Sequence, residues 1–194
     1  MLFATTAQTS YDSCLKCPTS NSQESAPKII IILMKFGCDV DKLDAEGNSA
    51  LSQYLRSFHL WIRYDVFKLL RDHSSTEGMH WTDQKQRNLL HLLMRQWSDD
   101  NVHILEDLME LVDITTHDAD GMGIEHHGAI HGAFNEYLTK YLRKRGLLNL
   151  HNKDISGKSP LQYAEEAANQ ERHPDLFEGG RWQRSLKNLK EGDE

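Results

Sequence analysis

The stretch that decides the fold is DISGKSPLQYA, Asp154 to Ala164. An aspartate at the head of a turn accepts hydrogen bonds from amides a few residues on, and glycine supplies a positive φ, so Asp154 and Gly157 predict a tight reversal. Ser159 then offers a hydroxyl to cap a helix, and Pro160 suits the first helical position, where no amide is needed. Leu161 and Ala164 lie three apart and share one helix face. The small Ala164 lets a neighbouring helix come close.

The stretch has relatives. CDVDKLDAEGNSALSQYL from Cys38, HWTDQKQRNLLHLL from His80 and ITTHDADGMGIEHHGA from Ile114 each place an aspartate, two residues and then Gly or Gln ahead of an apolar helix start. The aspartates are Asp44, Asp83, Asp118 and Asp154, in steps of 39, 35 and 36 residues. Regular steps of this size signal stacked repeats. A second amphipathic segment completes each unit: IIIILMKFG, YDVFKLLRDHS, VHILEDLMELV and EYLTKYLRKRG, with apolar residues such as Leu138, Tyr141 and Leu142 at helical offsets. Gly37 and Gly146 stand where a helix end takes a left-handed residue.

On these residues the sequence resembles the ankyrin-repeat family. Asp154, Gly157, Ser159, Pro160, Leu161 and Ala164 follow its turn-and-helix pattern best, and Asp44, Gly47, Ser49 and Leu51 follow it well. The second unit carries Gln86 in place of glycine and keeps Leu90 and His91, while the third keeps Asp118, Gly121 and His126 and departs at Gly123, Ile124 and Glu125. The resemblance covers residues 28–168. It implies an all-α solenoid of antiparallel helix pairs with projecting turns. It also implies a structural role for His126, hydrogen-bonded to backbone and neighbouring turns, and a surface that binds a protein rather than performing chemistry. TPR and HEAT repeats also pair helices but lack the recurring Asp-x-x-Gly turn.

The flanks divide accordingly. In residues 1–27, MLFATTA resembles part of a first helix, with Met1 and Ala4 in the leucine and alanine places, and Ser10 to Pro27 reads as a polar insertion loop. Residues 169–194 are expected to be a linker and a closing helix with Trp182, Leu186 and Leu189 on one face. The half unit at Met1 also admits a fragment of a larger multidomain protein.

Composition narrows function. A net charge of −7 disfavours nucleic acid, which needs a basic face; the run KYLRKRG, Lys140 to Gly146, suits the last turn of a helix. No apolar run reaches membrane length, the N-terminus lacks a secretory pattern, and there are three cysteines. The expected address is therefore cytosol or nucleus, as a monomer with no cofactor and no membrane contact.

Candidate partner contacts are the turn tips Leu43, Ala45, Glu46, Gln84, Lys85, Arg87, Ala119, Asp120, Met122, Ile155, Ser156 and Lys158, with Gln53, Ser57 and Gln162 lining the groove. The histidine-rich HDADGMGIEHHGAIHG, from His117, offers a rival reading. His127 and His131 are four apart on a helix and could hold zinc as a pair with His91, His117 or an acid, giving a metal-dependent enzyme. Two ligands make no site, Glu125 does not lie between the histidines, and no phosphate-loop or nucleophile-elbow motif is present. The expectation is therefore no metal and no catalysis, with His126 buried and His127 and His131 dispensable on the surface. Cys14 and Cys17 form a lone C-x-x-C in the polar loop, and Cys38 replaces a small buried alanine.

Overall fold

The computed structural model describes residues 20–57, 62–170 and 180–191. Among them every regular element is helical, with no strand. In chain order the helices are α1 Ser20–Lys35, α2 Ala50–Arg56, α3 Tyr64–His73, α4 Thr76–Met79, α5 Leu89–Met94, α6 Val102–Leu111, α7 Ile124–Ile130, α8 Glu136–Lys144, α9 Pro160–Gln170 and α10 Arg181–Lys190, with a 3-10 turn at Asp99–Asn101. The expected first helices are α2, α5, α7 and α9. The expected second segments are α1, α3, α6 and α8.

Contacts fall into two rows. Along the inner row α2 packs on α5, α5 on α7 and α7 on α9; in the outer row α1 packs on α3 and α3 on α6. The first helices start on caps written in the sequence. Ser49 Oγ accepts the Ser52 amide at 3.2 Å, Asn88 Oδ1 accepts the amides of Leu90 and His91, and Ser159 and Gln162 bond reciprocally. Between the rows runs one apolar core that includes Leu51, Leu55, Phe67, Leu70, Leu90, Leu93, Leu105, Leu108, Phe134, Leu138, Ala164 and Leu189. α5 lies at its centre, with all six of its residues buried.

Two boundaries differ from expectation. α1 begins at Ser20 and contains Pro27, where a loop was expected up to Pro27. The anchored apolar run Ile29 to Met34 extends backwards through the good helix formers Gln23, Glu24 and Ala26, at the loss of the one bond Pro27 cannot donate. An extra single turn, α4, was not foreseen; Ser75 caps it by accepting the Gly78 amide at 3.1 Å. The expected helix at Met1, the Cys14–Cys17 pair and the part of the linker over 171–179 lie outside the described residues.

α10 packs on α9, α7 and α8. Leu189 is fully buried, and Trp182 donates its ring N–H to the Ile130 carbonyl at 2.9 Å. Cys38 is half-buried against the core with a free thiol.

Candidate functional site

The four expected turns close in one way. The amides of Glu46 and Asn48 donate to Asp44 Oδ1, those of Lys85 and Arg87 to Asp83 Oδ1, and those of Asp120 and Met122 to Asp118 Oδ1, all at 2.8–3.0 Å. At Asp154, Oδ1 accepts the Lys158 amide and the Ser156 hydroxyl. The third residue after each aspartate returns an amide to its carbonyl, with φ of 80° at Gly47, 60° at Gln86, 75° at Gly121 and 81° at Gly157. Gln86 is the one non-glycine with positive φ among the described residues.

The second carboxylate oxygen takes a different donor in each turn. It is the Asn48 side chain on Asp44, the Arg87 guanidinium on Asp83 at 2.6 Å, His127 Nε2 on Asp118 at 2.9 Å and the Tyr163 hydroxyl on Asp154 at 2.6 Å. At Asp83, Asp118 and Asp154 burial pushes the carboxyl up, but the donors outweigh it. Asp83 and Asp118 end below the usual carboxylate range, and Asp154 falls to about 2.

Neighbouring turns are tied edge to edge. The Ala119 amide donates to the Lys85 carbonyl at 2.8 Å and the Ile155 amide to the Asp120 carbonyl at 3.0 Å. Trp81 donates its ring N–H to the Gly47 carbonyl at 2.8 Å. Two buried histidines add a second set of ties. Nδ1 of His91 accepts the Asn88 amide while Nε2 meets the Met122 carbonyl at 3.2 Å; Nδ1 of His126 accepts the Gly123 amide while Nε2 meets the Lys158 carbonyl at 3.3 Å. Where Nδ1 accepts the amide, Nε2 carries the proton that bonds the carbonyl of the next turn.

His127 corrects the expectation. It is 6% exposed and holds Asp118, so it is a packed partner of its turn and not a dispensable surface side chain. The reason is its register: His127 lies nine residues after Asp118, as Tyr163 does after Asp154, and both reach back from the helix to the turn. The aspartate-to-ring spacing of nine is a sequence signal that could have found it. His131, half-buried at the end of α7, does not join it in a ligand set, and no group of three or more His, Cys, Asp or Glu side chains converges among the described residues. Burial holds His91 at about 4 with help from the neighbouring His127, and also lowers His127. Glu125 is buried too, its carboxyl raised by desolvation.

The residues named as candidate contacts differ in exposure. Leu43, Ala45, Glu46, Gln84, Lys85, Ala119, Asp120, Ile155, Ser156 and Gln162 are exposed, with Ile155 at 78% and Leu43 at 52%. Gln53, Ser57, Arg87, Met122 and Lys158 are half-buried and partly committed: Arg87 grips Asp83 and Lys158 pairs with Glu166. Lys85 reaches Asp120 of the next tip at 3.6 Å, an exposed pair of little energetic weight.

Beyond the turns, basic residue types stand at the C-terminal ends of three inner helices. Arg56 ends α2, Arg95 caps α5 and His131 caps α7. Burial lowers Arg95, and the charges of Arg87 and Arg56 lower it further. His131 falls to about 4 through burial and then the charges of Arg95, His127 and Arg181. Next to His131, a cleft of about 480 Å³ opens between the α7–α8 loop and α10, lined by Trp97, Asn135, Arg181, Arg184, Lys187 and Asn188 among others. None of this was legible as a site in the sequence.

Compared with models of known protein families the chain matches none, and no curated protein sequence matches it. No helix among the described residues is long and apolar enough to cross a membrane.

Proposed function

We propose that the chain is an ankyrin-repeat solenoid that binds a protein partner through its turn tips and inner helices and performs no catalysis, as a monomer of the cytosol or nucleus. The observation that carries this reading is the fourfold recurrence of one aspartate-pinned turn, joined tip to tip by the Ala119 and Ile155 amides. Stacked helix pairs of this kind bury their core between rows and leave an extended face with no deep reaction chamber. Exposed Ile155 and Leu43 at the tips support it, because large apolar side chains presented on rigid turns suit a partner's surface.

The test is affinity capture with quantitative mass spectrometry, comparing the unaltered chain with Leu43→Asp/Ile155→Asp. Both sites are exposed, so the melting temperature should hold while captured proteins are lost. Capture indifferent to the tips would overturn the reading, as would turnover of a substrate that survives the double change.

A further inference from the structure

The seventh residue after each turn aspartate is Leu51, Leu90, Glu125 and Leu161 in turn. Leu51 and Leu90 are fully buried and Leu161 is half-buried. The third unit thus sets a carboxylate in a leucine position, where it stays only 7% exposed. A glutamate in a first helical turn suits the dipole when it reaches water. Buried, it forfeits hydration and calls for a counter-charge.

A second departure makes room for it. Gly123 stands where the other three units carry the capping side chains of Ser49, Asn88 and Ser159. A Cβ there would lie 2.4 Å from Glu125 Oε2, so the carboxylate takes the space that a capping side chain would fill. Asn152 bonds the carboxylate from the side, but a neutral amide brings no charge, and its Oδ1 already accepts from Asn149 at 3.1 Å.

Glu125 lines a pocket of about 150 Å³ between the segments that lead into the third and fourth turns. Ile114 and Leu147 give it apolar walls, and Thr115, His117 and Asn149 stand exposed at its rim. No lysine or arginine is among the described residues that line it. A buried carboxylate, apolar walls and a polar rim match a compact ammonium on a hydrocarbon stem. The planar fork of arginine prefers both oxygens of a carboxylate, for which Asn152 competes. The net charge of −7 also favours the approach of a basic surface.

We propose that this pocket receives a lysine side chain of a partner protein, its ammonium paired with Glu125 and its stem between Ile114 and Leu147. The inference rests on the protein-binding reading above and names one contact of the partner. Burial raises the Glu125 carboxyl, and the arriving ammonium keeps it ionised.

The test is a titration of the isotope-labelled full chain with N-acetyl-lysine methylamide, followed by amide nuclear magnetic resonance. Saturable shifts should appear at millimolar concentration on Thr115, Leu147 and Asn149. The corresponding norleucine and ε-acetyl-lysine compounds, which lack the charge, should leave those signals in place. Glu125→Gln should weaken binding by about five-fold and Glu125→Leu should abolish it. Glu125→Leu should also raise the melting temperature by about 2–4 °C, because it returns leucine to its position. The proposal is overturned by absent shifts, by equal shifts with either uncharged compound, or by a lower melting temperature of Glu125→Leu. In affinity capture Glu125→Leu should lose proteins that the unaltered chain retains; undiminished capture would overturn the partner lysine and leave a site for free amines. Leu43→Asp/Ile155→Asp separates the two readings. If the lysine compound fails while those tip changes still abolish capture, only the pocket is lost. If it binds while the tips prove irrelevant, the tip surface falls and the pocket stands.

Discussion

The second turn carries Gln86 and Arg87 where the fourth carries Gly157 and Lys158, yet the two share the same aspartate-to-amide bonds and nearly the same φ, 60° against 81°. In the fourth, glycine reaches the left-handed region without strain, and Tyr163 holds the free carboxylate oxygen from the following helix. In the second, glutamine is forced into that region, at about 1–2 kcal/mol, and Arg87 grips Asp83 through two guanidinium nitrogens at 2.8 and 2.6 Å. The comparison teaches that the aspartate dictates the turn. Glycine only makes it easier.

The sharpest way to break that comparison is to remove the aspartate. Asp83→Ala and Asp154→Ala should each cost about 3 kcal/mol, because each leaves buried or half-buried donors without an acceptor. Chemical denaturation of the two variants should give similar losses; a cost confined to Asp83 would mean that glycine holds the fourth turn without its aspartate.

Acid is next in size, and it acts on the histidine ties. His91 titrates near 4 in the folded chain against 6.5 unfolded, so it contributes stability above pH 6.5 and loses it as pH falls toward 4, on the order of 2–3 kcal/mol. Asp154, held at about 2, stabilises above its ordinary range and gives this up only below about pH 4. Melting temperature should therefore fall in two stages, the first between pH 6.5 and 4. His91→Gln should shrink that first stage, leaving the share of His127 and His131, and spare the second.

A smaller effect comes from exchanging the third residue after each aspartate. A Cβ at Gly157 would meet nothing within 4 Å, so Gly157→Gln tests conformation alone and should cost about 1–2 kcal/mol. The reverse change, Gln86→Gly, should gain about 0.5–1 kcal/mol. Opposite signs in thermal melts would sharpen the comparison, and two losses would show that Gln86 makes a contact worth more than its strain.

His126 and His127 complete the series. His126→Ala should cost on the order of 1–3 kcal/mol by freeing the Gly123 amide and the Lys158 carbonyl. His127→Ala should cost a comparable amount, because Asp118 is only 6% exposed and loses its partner. Melts with and without EDTA should be identical for the unaltered chain.

What could be read in advance follows from range. The turns and first helices rest on bonds spanning two to four residues, so Asp44, Gly47, Ser49 and Pro160 announce them directly. His126 was read through the family resemblance alone, although the bond it makes to its own helix start spans only three residues. His127 was not, because its meaning depends on a nine-residue reach from helix back to turn. The neighbourhood of Arg56, Arg95 and His131 was hidden for a stronger reason: it forms only once three separate helices have stacked, and no local pattern records that. The early start of α1 was missed because polar composition was read as loop, although several of those residues favour helix.

The ties of α10 have a consequence for how the chain is made. Trp182, Ser185 and Asn188 bond the backbone of Ile130 and Phe134 across 52, 51 and 54 residues. During synthesis the third unit therefore emerges with those carbonyls and that amide facing water, its underside uncovered until α10 has been made. At ordinary translation speeds of about 5–20 residues per second the interval is roughly 3–10 s. For that time the half-built stack presents an open apolar end, which is the form a chaperone on the ribosome would meet.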